Sequence, residues 1–225
     1  MTEVHTPRIF AHRGSHSQHP ESSLPAYLAA IEEGADGFEC DVRLTRDREI
    51  VIWHDATLQR IAGNPARISS TTLEELRKIW PIMTVEELID LAIENKKDLA
   101  IETKHPVLYG HRVERELAKL LERKRSAIRE SGIQIFLMSF SWWATSANSQ
   151  TPHTGTYLIH SKHNLVFSRF ATAGLNIEIL RNGYIPQHPE STLVWTVNSE
   201  SDILLCKKLG VDVIITDDVQ LAKSV

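Results

Sequence analysis

Cysteine is scarce in this 225-residue chain: the two present, Cys40 and Cys206, lie inside apolar segments and not in a paired or ligand-like spacing. That scarcity excludes a disulfide-stapled scaffold and a cysteine-based zinc module. No apolar run approaches the roughly 20 residues that a membrane-spanning helix requires, so no stable membrane insertion is expected. A basic excess is missing as well, because 25 Lys and Arg stand against 29 Asp and Glu for a formal net charge of −4. Such a balance argues against a nucleic-acid partner, which normally calls for a positive face. The opening segment, Met1–Gly14, has neither a basic n-region nor an apolar h-region. Together with the cysteine usage this predicts a cytoplasmic location.

What is present is 42% hydrophobic residues and a mean hydropathy of −0.21, enough apolar mass for a full core. Short runs rich in Val, Ile, Leu, Phe and Trp read as strands at Arg8–Ala11, Gly37–Leu44, Ile50–His54, Asp98–Thr103, Ile133–Ser139, Gly155–His160, Leu175–Ile179, Thr192–Val197 and Asp212–Thr216. A first helix follows Ser22 or Ser23 as N-cap, with Pro25 in its first turn and Gly34 as its stop. Further helices are predicted over Thr84–Glu94, Arg112–Ser131 and Glu200–Leu209. Strands alternating with helices imply a parallel sheet.

Thr45–Glu49 is too short for a crossover helix, so the second and third strands must form a hairpin. Counting that pair once leaves eight. The expected fold is therefore α/β, a (β/α)8 TIM-type barrel with a β-hairpin extension of the second strand, spanning residues 1–225 as one domain. A small insertion over the barrel mouth is expected at about residues 55–83.

Period-two alternation puts Glu39 and Asp41 on one face of the second strand, opposite Phe38, Cys40 and Val42. Two neighbouring carboxylates on a buried strand demand a positive partner. The fourth strand ends in Glu102-Thr103-Lys104, which sets Glu102 and Lys104 on a shared face. Three carboxylates at neighbouring strand ends form a hard-oxygen site for Mg²⁺ or Ca²⁺, although Glu102 alone serves equally well as an ion-pair partner of Lys104. A hairpin turn centred between Asp47 and Arg48 would set His54 opposite Asp41. His12 and Arg13 close the first strand, and Gly14 permits a tight exit. Two histidines, two cations and a divalent ion suit cleavage of a phosphate ester.

These blocks resemble the glycerophosphodiester phosphodiesterase family. The resemblance runs through Ala11-His12-Arg13-Gly14, Pro20-Glu21, Gly34–Val42, Val51–Asp55, Leu58 and Arg60, Glu102-Thr103-Lys104, Ser139-Phe140, Trp195–Asn198 and Thr216-Asp217. It implies hydrolysis of glycerophosphodiesters to sn-glycerol 3-phosphate and an alcohol. It maps metal ligands onto Glu39, Asp41 and Glu102, and acid–base histidines onto His12 and His54. Phosphate-contacting cations map onto Arg13 and Lys104, with Phe140 and Trp195 at aromatic positions that line a glycerol pocket or pack in the core. The chain departs from the family with Ser22-Ser23 after Pro20-Glu21, with Arg48 in place of a turn glycine, and with Asp218-Val219 near the C-terminus.

Two related readings stay open: a lysophospholipase D-like or cyclising phosphodiesterase, and a barrel that binds phosphodiesters without turnover. The cyclising group is normally secreted and disulfide-bonded, and neither signature is present. A non-catalytic barrel is expected to lack a histidine or a ligand, and none is lost. For the pair Trp142-Trp143, packing beneath the next helix is the expected role, with contact to a lipid or choline-like headgroup as the alternative.

Overall fold

Barrel closure follows from strands that carry apolar residues on both faces, one set for the interior and one for a surrounding helix layer. The computed structural model describes residues 6–104, 112–139, 154–159, 172–184 and 191–225. Eight parallel strands run β1 (Arg8–His12), β2 (Gly37–Leu44), β4 (Asp98–Thr103), β5 (Ile135–Ser139), β6 (Thr154–Ile159), β7 (Thr172–Asn176), β8 (Ser191–Trp195) and β9 (Val213–Thr216). β9 returns to pair with β1, so the ring closes. β3 (Ile50–Ile52) lies antiparallel on β2 as the expected hairpin.

Inside the ring, Phe10, Ala100, Phe136, Met138, Leu193, Val213 and Ile215 form one buried cluster. Gly37 faces the same space, where a Cβ would stand 2.7 Å from the Phe10 ring and from the Asp98 carbonyl oxygen. The alternate residues Ala11, Phe38, Cys40, Val42, Leu99 and Ile101 pack outward against the helix layer. Full burial of such side chains stabilises by about 1.5–3 kcal/mol each.

The helices begin where their caps dictate. α1 (Leu24–Glu32) is capped by Ser23, with Pro in its first turn. α4 (Val85–Asn95) starts at Thr84 with a reciprocal Thr84–Glu87 capping box. Between β3 and α4 lies the insertion: α2 (Gln59–Ala62), a 3₁₀ turn (Ile68–Ser70) and α3 (Leu73–Ile79). It has its own core of Val51, Trp53, Leu58, Ile68, Leu76 and Ile82. The stretch expected as one helix over Arg112–Ser131 is two, α5 (Arg112–Arg123) and α6 (Arg125–Ser131), separated at Lys124. The remaining helices among the described residues are α7 (Ile177–Arg181), α8 (Glu200–Lys208) and α9 (Val219–Ser224).

Two expectations are corrected. The seventh barrel-region strand sits at Thr172–Asn176, not Leu175–Ile179. Asn176 accepts from Glu178 N and turns Ile177–Arg181 into a helix, so the apolar Ile177 and Ile179 pack from α7. The hairpin register is also shifted by one: Val42 pairs Ile52, and Trp53 N donates to Asp41 O at 2.9 Å. Trp53, not His54, therefore stands opposite Asp41. The cause is a five-residue connection, Thr45–Glu49, in which Arg48 takes a left-handed φ of 68°. A turn followed by one left-handed residue lengthens the loop and moves the register.

Glycine would hold that Arg48 conformation without a Cβ penalty, which costs a non-glycine residue about 1–2 kcal/mol. Arg48→Gly is expected to raise the melting temperature by about 2–4 °C. A calorimetric scan showing no gain would place the turn's cost elsewhere.

Candidate active site

Within β2 and at the C-terminal end of β4, Glu39, Asp41 and Glu102 are 2%, 1% and 8% exposed. Parallel pairing sets Asp41 level with Glu102, and His12 level with Glu39. Each carboxylate offers one oxygen within 4.8 Å of the others. Such a concentration of charge inside a barrel survives only with cations beside it. Lys104 Nζ lies 2.8 Å from Asp41 Oδ1 and 2.6 Å from Glu102 Oε1, while Arg13 Nε lies 2.8 Å from Asp41 Oδ2. The sequence-level need for a positive partner is thus met by the two residues named as phosphate contacts.

The three acids do not share that compensation equally. Burial works against the Asp41 charge, but Lys104, Arg13 and His54 hold its carboxyl below the ordinary range. Burial, reinforced by Asp41 and Glu102, pushes Glu39 well up. Burial and Asp41 lift Glu102 to about 7, against the pull of Lys104. Glu39 Oε2 is left buried without a hydrogen-bond partner, with His12 Nε2 3.8 Å away. That bare oxygen and the tight acidic trio fit a divalent cation, whose oxygen ligands stand about 2.0–2.6 Å from the ion.

The backbone at Arg13 is left-handed, with φ 58°. Gly14 follows at φ 81°, where a Cβ would come within 2.8 Å of Ala26. Arg13 Nη1 also donates to Glu21 Oε1 at 3.0 Å. Glu21 in turn receives Arg60 from the insertion, and Arg60 Nε donates to Asp55 Oδ2 at 2.6 Å. Asp55 Oδ1 lies 2.7 Å from His54 Nδ1, while Arg43 donates twice to the His54 carbonyl. Burial lowers the His54 pKa, with Asp41 and Asp55 pulling the other way.

His12 is held from the opposite side. Its Nδ1 lies 2.6 Å from Asp217 Oδ1, and His16 Nε2 lies 3.0 Å from the same oxygen. Asn198 clasps this carboxylate, donating from Nδ2 to Oδ2 at 2.5 Å and accepting from Asp217 N at 2.9 Å. Burial opposes the Asp217 charge, yet the bonds from His12, His16 and Asn198 hold its carboxyl well below the usual range. The bond to Asp217 raises the His16 pKa.

All seven charged or histidine residues expected at the site are thus brought to one barrel mouth. Trp195 packs, partly buried, against the interior cluster that includes Phe10 and Leu193. Phe140 and the pair Trp142-Trp143 lie outside the described residues. The orienting residues Asp217, Asn198, Asp55, Glu21, Arg60, Arg43 and His16 received no role from the sequence. Their signal was positional for Asp217, Asn198 and Asp55, each one to three residues past a barrel-strand or hairpin end on the mouth side.

Because its folded pKa is depressed, Asp217 contributes stability that is complete above the ordinary aspartate range and is lost as pH falls through the folded value. Asp217→Asn is expected to melt lower than wild type at neutral pH. That gap should narrow as pH falls below about 4. A gap independent of pH would remove the charge of Asp217 as its cause.

Known proteins resemble this chain in sequence and in fold. A model of the glycerophosphoryl diester phosphodiesterase family matches residues 12–170. A probable glycerophosphodiester phosphodiesterase 1 of Mycobacterium tuberculosis is 33% identical over 91% of this chain and 87% of its own. A glycerophosphodiester phosphodiesterase of Caldanaerobacter subterraneus subsp. tengcongensis is 28% identical, with 93% of each chain covered. Among solved structures, a glycerophosphodiester phosphodiesterase of Thermotoga maritima superposes with a TM-score of 0.76 at 23% identity, covering 98% of both chains. An Oleispira antarctica phosphodiesterase, crystallised with its product sn-glycerol-3-phosphate, gives 0.72 at 24% identity, covering 97% of this chain and 96% of its own. With a family model spanning most of its length and a relative one-third identical nearly end to end, the chain belongs to the glycerophosphoryl diester phosphodiesterase family.

Proposed function

We propose that the protein hydrolyses glycerophosphodiesters to sn-glycerol 3-phosphate and an alcohol, with a divalent cation, Mg²⁺ or Ca²⁺, and with His12 and His54 as the acid–base pair. The observation that carries this reading is the buried trio Glu39, Asp41 and Glu102, set between two braced histidines and two cations. With all three carboxylates ionised around a bound divalent cation, Arg13 and Lys104 would bring the sum to one positive charge. A phosphodiester carries one negative charge, so the loaded site and the substrate are complementary.

Glu39, Asp41 and Glu102 would hold the cation, which when bound polarises phosphoryl oxygens and stabilises charge that develops on them. The side chains divide the rest of the work. Arg13 and Lys104 add fixed positive charge for the phosphate. Asp217 at His12 Nδ1 and Asp55 at His54 Nδ1 keep a proton on each Nδ1, which leaves both Nε2 atoms for proton transfer. One neutral imidazole accepts the nucleophile's proton, and the other, protonated, donates to the leaving oxygen. The nucleophile is water or the substrate's own glycerol hydroxyl, and either fits this pair. Trp195 is the last residue of β8, on the mouth side, and that position supports a role in lining a glycerol pocket. Two free, buried cysteines suit the reducing cytoplasm, where we place the protein. No helix among the described residues is long and apolar enough to cross a membrane.

Release of glycerol 3-phosphate from glycerophosphocholine tests the reading. Mg²⁺ or Ca²⁺ should support turnover and excess EDTA should abolish it. His12→Ala and His54→Ala should each lower kcat by about 10²-fold or more while metal binding, followed by calorimetry, persists. Near-wild-type turnover in either variant would end the acid–base assignment, and turnover in EDTA would end the metal assignment.

A further inference from the structure

The side chains that brace His12 make a second cluster of metal-ligand type, distinct from the acidic trio. His12, His16 and Asp217 each offer one ligand atom within 4.8 Å of the others. They meet across the seam of the barrel: β1 and β9 pair Ala11 with Thr216, which sets His12 level with Asp217. Asp217 Oδ1 receives both rings, at 2.6 Å from His12 Nδ1 and 3.0 Å from His16 Nε2. Its other oxygen is taken by Asn198 Nδ2 at 2.5 Å, so the carboxylate is fixed with Oδ1 turned to the histidines.

Orienting His12 needs one acceptor at Nδ1, and Asp217 alone supplies it. A second imidazole on the same oxygen adds nothing to that task. It does complete a set of two nitrogens and one carboxylate oxygen, donors that suit Zn²⁺ and similar borderline ions better than Mg²⁺ or Ca²⁺. A tetrahedral ion with bonds of about 2.0–2.1 Å sets neighbouring ligand atoms about 3.3 Å apart. The two observed separations need to open by less than about 1 Å to reach that value. The side chains of His12, His16 and Asp217 are 19%, 27% and 35% exposed, so an ion can reach them from solvent. Asn198 supplies the outer hydrogen bond that metal-ligating carboxylates carry.

We infer that His12, His16 and Asp217 form an inhibitory site for Zn²⁺ or a similar borderline ion, separate from the trio that suits a hard cation. The inhibition follows from the tautomer. With Asp217 at Nδ1, His12 keeps its proton there and leaves Nε2 for proton transfer. An ion on Nδ1 sends the ring's one proton to Nε2, which then can accept none. With both nitrogens occupied, the ring also cannot become the imidazolium that would donate. Inhibition therefore holds whether His12 is the acid or the base. That consequence rests on the phosphodiesterase reading above; the binding of the ion does not.

The test uses the full chain with excess Mg²⁺ in mildly alkaline buffer, because the ion must replace the proton that Asp217 favours on His16. Calorimetric titration with Zn²⁺ should reveal a site that Mg²⁺ does not displace. Zn²⁺ should also lower kcat for glycerophosphocholine, and added Mg²⁺ should not restore it. His16→Gln, which keeps a hydrogen-bond donor for Asp217, should weaken Zn²⁺ binding by about 10-fold or more and raise the Zn²⁺ concentration for half inhibition equally. Glu102→Gln, in the acidic trio, should leave Zn²⁺ binding in place. Zn²⁺ binding lost in Glu102→Gln but kept in His16→Gln would put the ion in the trio and overturn the inference, as would no binding over excess Mg²⁺. Binding that depends on His16 but leaves turnover unchanged would overturn the inhibitory role. If no divalent cation supports turnover, the phosphodiesterase reading falls and the inhibition with it, while the titrations still decide the metal site.

Discussion

The contact on which the site depends is the pairing of buried Asp41 with Arg13 and Lys104. Asp41 is fully enclosed, and its two oxygens each meet one cation at 2.8 Å. Without that pairing, two more carboxylates could not converge on the same interior layer, because each uncompensated ion would cost several kcal/mol. The arrangement also explains why the three acids differ. Asp41 has a cation at 2.8 Å from each oxygen, while the nearest positive group to Glu39 Oε2 among the described residues is His12 Nε2 at 3.8 Å. In the proposed reading, the cation site is an unfinished charge balance: the chain neutralises part of the cluster and leaves the remainder open. Arg13 and Lys104 come from the ends of β1 and β4, so the balance also ties the strands on either side of β2 together at the mouth.

Around this centre the histidines are fixed by separate braces. On one side Asn198 and Asp217, just past β8 and β9, hold His12 across the seam where the barrel closes. On the other, a line of ion pairs runs from Arg13 through Glu21, Arg60 and Asp55 to His54. Arg60 belongs to the insertion, which gives that segment a reason to carry its own apolar core. A guanidinium exposed to nearly half its surface can orient Glu21 and Asp55 only if the helix beneath it is rigid. The packing of Trp53, Leu58 and Ile68 supplies that rigidity.

Strand alternation made the barrel, the hairpin and the acidic face legible in the sequence, since a carboxylate at every second position of an apolar run has few structural uses. Resemblance then carried the roles of His12, His54, Arg13 and Lys104. What escaped was set by single residues whose effect is not periodic. Arg48, by taking a left-handed turn position, moved the hairpin by one residue, a shift that apolar patterning on so short a β3 does not resist. Asn176, by capping, converted an apolar run into a helix that the composition of Leu175–Ile179 reads as a strand. The braces escaped because an Asp or Asn after a strand is also what any loop contains. Only the closure of the ring shows that Asp217, near the C-terminus, faces His12, near the N-terminus.

Two arginines share one unfavourable backbone conformation, and the contrast separates constraint from accident. Arg13, at φ 58°, is over-determined: its carbonyl accepts from Ser22 N, its Nε meets Asp41, and its Nη1 binds Glu21. Ser22, itself at φ 60°, completes that loop, so two left-handed residues are held in place by one set of contacts at the mouth. Removing the strain by substitution would also remove one of the two cations from Asp41, leaving the cluster with Lys104 alone. Arg48, at φ 68°, has no such role, since among the described residues no hydrogen bond or ion pair fixes its guanidinium. Strain persists at functional positions because the surrounding contacts outweigh it. At Arg48 nothing outweighs it, which marks the hairpin tip as a place where the chain tolerates a cost that the barrel mouth is built to use.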